Sequence, residues 1–505
     1  MGSFRRISAL TTAIFAVALV TVPPLAAQRG GQAATPTDRL LATVHGISSH
    51  AILDYVKEMT AEKFGGRLTG TPGYDASAAW AVDLLTRWKF EPGGDGGTYY
   101  QRFPNPYTLV LPGDELTLHI PAGGGATLKK TYVYEREYFP GSTSDSGTLT
   151  AETVYVGYGI TAPELGFDEY AGLDVKGKIV VVEPEVPVTP EPDLALFKRW
   201  RPYSFHDDKV RNAKAHGAAG MIYDYHIANP NCAFIPGFQL TYVSRTVMDD
   251  LFAGTGRTHA EVLQTIRKAR RPASMPLGKT VTMRNTTEHH ADGVGSNVIA
   301  ARRGSDPALS DEVIMIGAHL DHLGYNPELM PGAHDNASGV AVLLGVAEAL
   351  NRYATPLKRT VAVILFGAEE QGVKGSEYYV AHPTFPNARL KAFINLESVG
   401  RGERIGVGSG RDVPEVFETL ARANTQYVHR PLSASSNSYP ARPRQDAAHF
   451  VWAGIPTVSI GTSGAPPLPY ATYHTTKDRW ETLTPEIMED LARIVLLAVV
   501  DLADR

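Results

Sequence analysis

The 505-residue chain has a single cysteine, Cys232, so no disulfide can form within it and its stability must come from packing or from bound metal. Its formal net charge of -5 is spread among interspersed acids and bases, with no basic stripe for nucleic acid and no polybasic patch for a membrane surface. Neither kind of partner is expected. No G-x-S-x-G is present, which removes the nucleophile elbow of a serine hydrolase, and no H-E-x-x-H, which removes the zincin arrangement. The opening "MGSFRRISALTTAIFAVALVTVPPLAAQRGG" has an apolar stretch shorter than the about 20 residues needed to span a bilayer. Arg5 and Arg6 precede that stretch and Ala26-Ala27 close it, the layout of a secretory signal peptide over residues 1–27. The mature protein is therefore expected outside the cytoplasm, secreted or periplasmic, with no membrane anchor after cleavage.

What is present divides into two textures. The chain is too long for one ordinary core, so a large domain and at least one smaller module are expected. Residues 28–40 are polar and small, and are expected to be a disordered lead. Helical periodicity follows in "SSHAILDYVKEMTAEKF" and "YDASAAWAVDLLTRWKF", within a first segment placed at 41–144. From 145 to 285, short strand-like runs such as "ETVYVGYGI" and "GKIVVVEPEVP" alternate with turn residues, which marks an inserted β-rich module. From 286 to 505, strands and helices alternate: "DEVIMIGAHLDH", "SGVAVLLGVAEALNRY", "RTVAVILFGAEE", "LKAFINLESVG" and "TPEIMEDLARIVLLAVVDL". This alternation predicts an α/β fold with a mixed, largely parallel central sheet flanked by helices. Thr484 and Pro485 predict the N-cap and first turn of the last helix.

In such sheets a site forms beyond the carboxyl ends of the strands. His319, the adjacent Glu369 and Glu370, and Glu397 each follow an apolar run, and Asp335 lies in the loop ahead of a helix. One such ending is a coincidence of loops; several on one sheet edge suggest a shared site. Asp321, two residues after His319, is placed to accept the second imidazole proton, a role that raises the basicity of a ligating histidine. His322 is expected to be a bystander.

The ordered set "HLD", "DNASG", "GAEEQG", "NLES" and "YHTTKD" closely resembles the M28 family of dinuclear zinc exopeptidases, the aminopeptidase and glutamate carboxypeptidase group. "DEYAGLDVKGKIVVV" and "NAKAHGAAGMI" resemble the protease-associated (PA) domain often inserted in its members. The resemblance implies two Zn²⁺ ions, one held by His319, Asp335 and Glu397 and the other by Asp335, Glu370 and His474, with Asp335 bridging. It implies that Glu369 is the general base for attack of a metal-bound hydroxide on a terminal peptide bond. Asp321 supports that chemistry, and Asp446 and Tyr473 are possible substrate-binding residues.

The sequence departs from the family pattern where Glu397 stands in place of the usual Asp, and in "RQDAAHFVWAGIP", where relatives commonly show Ser-Asp-His. The implied activity is that of an aminopeptidase acting on a peptide or small amino-acyl substrate. The alternatives are a carboxypeptidase or dipeptidase, for which Arg442 and Arg444 could bind a terminal carboxylate, and a non-catalytic binding ectodomain. A glutaminyl cyclase of similar fold is disfavoured by the paired glutamates and the insertion.

Overall fold

The computed structural model describes residues 35–122, 126–436, 443–469 and 471–505. The expected signal peptide, most of the expected lead, and Arg442 lie outside the described residues. Residues 36–40, expected in the lead, instead belong to a helix, Pro36–His45, that Thr35 caps through reciprocal bonds with Asp38.

The larger sheet has parallel strands Thr360–Phe366, Val313–His319, Leu390–Leu396 and Thr457–Ser463 at its centre, in that spatial order. Antiparallel Val294–Arg302 and Arg404–Gly408 flank them. Val313–His319 and Thr360–Phe366 are buried at every position. Helices cover both faces, so an all-apolar run rather than an alternating one is the stable choice. Ser338–Arg352, Ser49–Met59 and Pro485–Asp504 pack together on one face, where Ile52, Val56, Leu343, Leu344, Leu491 and Val495 share one core. Pro485–Asp504 begins as expected after Thr484, although the Thr484 side chain makes no capping bond.

The second sheet has its own apolar cores and eight strands. Its central strands Gly147–Tyr155, Ile179–Val182, Gly220–Tyr223 and Gln239–Val243 run parallel, with Met275–Asn285 antiparallel beside the first. Glu115–Pro121, Thr127–Thr131 and Tyr138–Pro140 also belong to it. The sheet of the inserted unit thus also takes in strands from residue 115 on, ahead of the 145 expected for the module, and these early strands lack the Val/Ile density of the later ones.

Candidate metal centre

The carboxyl ends of the parallel strands deliver the expected residues to one place. His319 closes its strand, Glu397 follows Leu396, and the chain leaves Phe366 through Gly367 and Ala368 into a turn carrying Glu369 and Glu370. Asp335 precedes the helix Ser338–Arg352.

His319 Nε2 lies 3.2 Å from Asp335 Oδ1 and 3.2 Å from Glu397 Oε1. His474 Nε2 lies 3.3 Å from Asp335 Oδ2 and 3.0 Å from Glu370 Oε2. The two oxygens of Asp335 thus face two different histidines. The longer Glu397 side chain still brings one oxygen to His319, so the methylene added relative to Asp does not remove it from the cluster.

Asp321 sits differently from expectation. Its carboxylate is 3.6 Å from His319 Nδ1, while its own backbone carbonyl is closer, at 3.2 Å. The carboxylate accepts the backbone N–H groups of Glu369 and Glu370, both at 3.2 Å. Asp321 therefore ties the turn bearing the paired glutamates to the strand bearing His319. Asp446 is fully buried and is not among the residues lining the cavity, so a direct substrate contact does not follow from its position. Burial pushes its carboxyl up to about 8. Tyr473 stacks on His474 with ring centroids 3.8 Å apart and faces the cavity.

Three residues given no role from the sequence have one in the structure. His322 Nδ1 is 2.7 Å from Glu370 Oε1, so it holds the carboxylate whose other oxygen meets His474. Asp478 accepts the backbone N–H groups of His334 and Asp335 at 2.9 and 3.0 Å and so fixes the loop that carries Asp335. Arg67, completely buried, donates to the carbonyls of Leu320, Met59, Pro331 and Gly332 at 2.8 to 3.0 Å. It clamps the two ends of the loop between His319 and Asp335. The only hint in the sequence is that "HTTKD" continues past His474 and that "GGRLTG" is dense in glycine.

Burial opposes ionisation of every acid here, and the partners decide which way each goes. For Asp335 burial is outweighed by the bonds from His319 and His474, which hold it well below the usual carboxylate range. Glu370 is likewise brought down to about 2, chiefly by His474 against the cost of burial. Glu369 has no such partner, and burial holds it well above the usual range despite His319. Glu397 is raised by burial. A divalent cation fits this donor set: Glu397 Oε2 and His474 Nε2 are buried with no hydrogen-bond partner among the described residues, and imidazole with carboxylate is a zinc-binding combination.

A cavity of about 340 Å³ opens onto the cluster. Asp335, Glu369, Glu370, Glu397, Tyr473 and His474 form one wall, and Arg201, Phe205, His206, Tyr225, Ile227 and Asn229 of the inserted unit form the other.

Residues 297–499 match the model of peptidase family M28, and residues 146–243 match that of the PA domain. The second half of the chain is thus similar to peptidase family M28, and the segment ahead of it to the PA domain. It is 27% identical over 368 residues to an aminopeptidase of Pseudomonas aeruginosa, covering 71% of this chain and 59% of that protein. It is 25% identical over 454 residues to aminopeptidase YwaD of Bacillus subtilis, covering 87% of this chain and 82% of that one. The chain thus spans less than two thirds of the Pseudomonas relative. Among solved structures, the fold is similar to an aminopeptidase from Aneurinibacillus sp. strain AM-1, with TM-score 0.62, 21% identity and coverage of 92% and 96% of the two chains. It is also similar to a zinc aminopeptidase from Bacillus subtilis, with TM-score 0.60, 20% identity and coverage of 91% and 96%.

Proposed function

We propose that this chain is an exported, dinuclear zinc exopeptidase of the aminopeptidase type. The observation that carries the reading is Asp335, whose two oxygens face His319 and His474 at 3.2 and 3.3 Å, the disposition of a carboxylate shared by two cations. His319, Asp335 and Glu397 would hold one zinc ion; Asp335, Glu370 and His474 would hold the other. Three ligand carboxylates balance three of the four positive charges, which leaves the site close to neutral once a hydroxide is present. When bound, zinc supplies polarisation of a carbonyl and acidification of a water.

The chain's own residues supply the rest. Glu369 is the acid of the cluster without a histidine partner, and its raised proton affinity suits a group that must take a proton from the attacking water and give it to the leaving amine. Asp321 fixes the turn that aims it. Tyr473 contacts the bound substrate from the cavity wall. That wall offers no cationic side chain outside the ligand set, so it favours a free amino terminus over a terminal carboxylate. Aminopeptidase names among the relatives support the same choice.

One observation favours a carboxypeptidase or dipeptidase instead: Arg201 and Arg444 line the opposite wall. Both are ion-paired to Glu185, at 2.9 and 2.8 Å, so that wall carries less positive charge than its arginines suggest. Zinc content, measured with and without chelator beside hydrolysis of amino-blocked, carboxyl-blocked and free dipeptides, separates the readings. Cleavage confined to peptides with a free amino end is expected. Cleavage that instead requires a free carboxyl end supports the carboxypeptidase reading, and two bound zinc ions with no cleavage at all supports a binding ectodomain.

A further inference from the structure

His474 differs from the other residues of the cluster in what holds it. Its backbone is in the left-handed region, with φ of 54°, uncommon for a residue with a side chain, and its ring and carbonyl bond to the inserted unit. His474 Nδ1 lies 2.9 Å from the carbonyl of Ala228, and the Ala228 N–H donates back to the His474 carbonyl at 3.3 Å. A carbonyl can only accept, so Nδ1 carries a proton toward Ala228 and Nε2 is the nitrogen that faces Asp335 and Glu370. Two residues further on, Glu135, also of the inserted unit, accepts the Thr476 N–H at 3.1 Å and the Thr476 hydroxyl at 2.8 Å, and pairs with Lys477 at 3.5 Å. In the other cluster His319 Nδ1 is held by the carbonyl of Asp321 on its own strand end, and only the shared Asp335 reaches the 472–478 loop, through Asp478.

We propose that Glu135 is a positioning residue for the second metal ion: it locks the 472–478 loop, and His474 with it, against the inserted unit, so that docking of that unit bears more on the site that includes His474 than on the site that includes His319. The proposal rests on the dinuclear reading above. It gives the insertion a role in metal loading that is separate from lining the cavity. Because the loop bearing His474 and the segment bearing Ala228 close on each other across 246 residues of chain, the second site forms only after the inserted unit has folded and docked.

The test is zinc titration of the chelator-stripped, full-length protein, with cobalt absorption as a second readout of each site. Wild-type protein should bind two ions. Glu135→Ala should bind the second ion at least tenfold more weakly than wild type and lose clearly less on the first, with the corresponding cobalt band lost at limiting metal. Glu135→Gln keeps an oxygen that accepts from Thr476 and should stay within about threefold of wild type, a rescue that a purely charge-based or generally destabilising effect would not produce. Thr476→Val, which removes only the hydroxyl donor, should weaken the second ion in the same direction by less, and serves if Glu135→Ala does not fold. Equal weakening of both ions in Glu135→Ala, wild-type affinity for both, or a Gln variant as weak as the Ala variant would overturn the proposal. Fewer than two zinc ions on the wild-type protein would remove the dinuclear reading itself.

Discussion

Glu369 and Glu370 are neighbours in the chain and share one turn, yet their carboxyls are held in opposite directions. Glu370 lies between His322 and His474, at 2.7 and 3.0 Å, and is brought down to about 2. Glu369 meets neither and is held well above the usual range by burial. The backbone N–H of each points at Asp321. Under the function proposed above, the pair divides into a ligand, which must be ionised, and a base, which must hold and release a proton. Replacing Glu369 with Gln keeps the shape and removes the proton site. Zinc content should stay at the wild-type level while kcat falls by about 10²–10⁴-fold, the usual contribution of general acid–base catalysis. Metal analysis beside steady-state kinetics checks it, and retained turnover would reject the assignment.

At the scale of elements, the candidate site depends on loops whose backbone is held by side chains far away in sequence. Asp478 is the clearest case, since its carboxylate receives the N–H groups on either side of the His334–Asp335 peptide. Asp478→Ala leaves those buried donors without partners, at a cost of about 1–3 kcal/mol each, and frees Asp335 to turn from the cluster. Unfolding in urea should show the loss, and zinc affinity should drop by about 10–100-fold, as for other groups that orient metal ligands. Leu343→Ala in the buried helix Ser338–Arg352 makes the contrast. It should cost about 2–5 kcal/mol, while kcat of the folded protein stays unchanged, because Leu343 packs in the core away from the cluster. The same distinction explains what could be read beforehand. His319, Glu369, Glu370 and Glu397 were legible because each follows an apolar run long enough to mark a buried parallel strand. Asp335 and His474 took their roles from the family resemblance. Arg67, His322 and Asp478 were not legible, since the groups they bond are backbone carbonyls, N–H groups or a carboxylate reached only after folding. Asp446 was legible as an acid near the site and not as one buried behind it, because burial beneath a turn leaves no mark on local periodicity.

At the scale of the whole molecule, the two sheets meet at the candidate site, where Leu323 and Met330 of the one unit join an apolar core of the other, and acids from one unit and polar groups from the other are buried together. This concentration of carboxyls sets how stability depends on pH when no metal is bound. Glu369 and Glu397 are raised by burial, Asp446 is pushed up to about 8, and Asp478 to about 6. A carboxyl raised on folding binds its proton more tightly in the folded chain. Its stabilisation is complete below the unfolded value near 4 and is lost as pH rises through the folded value. His319 and His474 act in the same sense from a higher starting point: the surrounding acids outweigh burial and raise both imidazoles, His474 to about 10, so their contribution also fades as pH rises above about 6.5. The groups held low, Asp335 and Glu370, stay ionised in both states above pH 6 and change nothing there. Each extra proton held by the folded chain lowers stability by about 1.4 kcal/mol per pH unit. Chelator-treated protein should therefore melt at progressively lower temperature from pH 6.5 to 8. With saturating zinc the trend should disappear or reverse, because the metal replaces those protons and binds more tightly as they leave. Thermal denaturation at several pH values with and without zinc reads both slopes. A metal-free midpoint that is flat or rises over this range would show that the buried acids are compensated by something other than protons and metal.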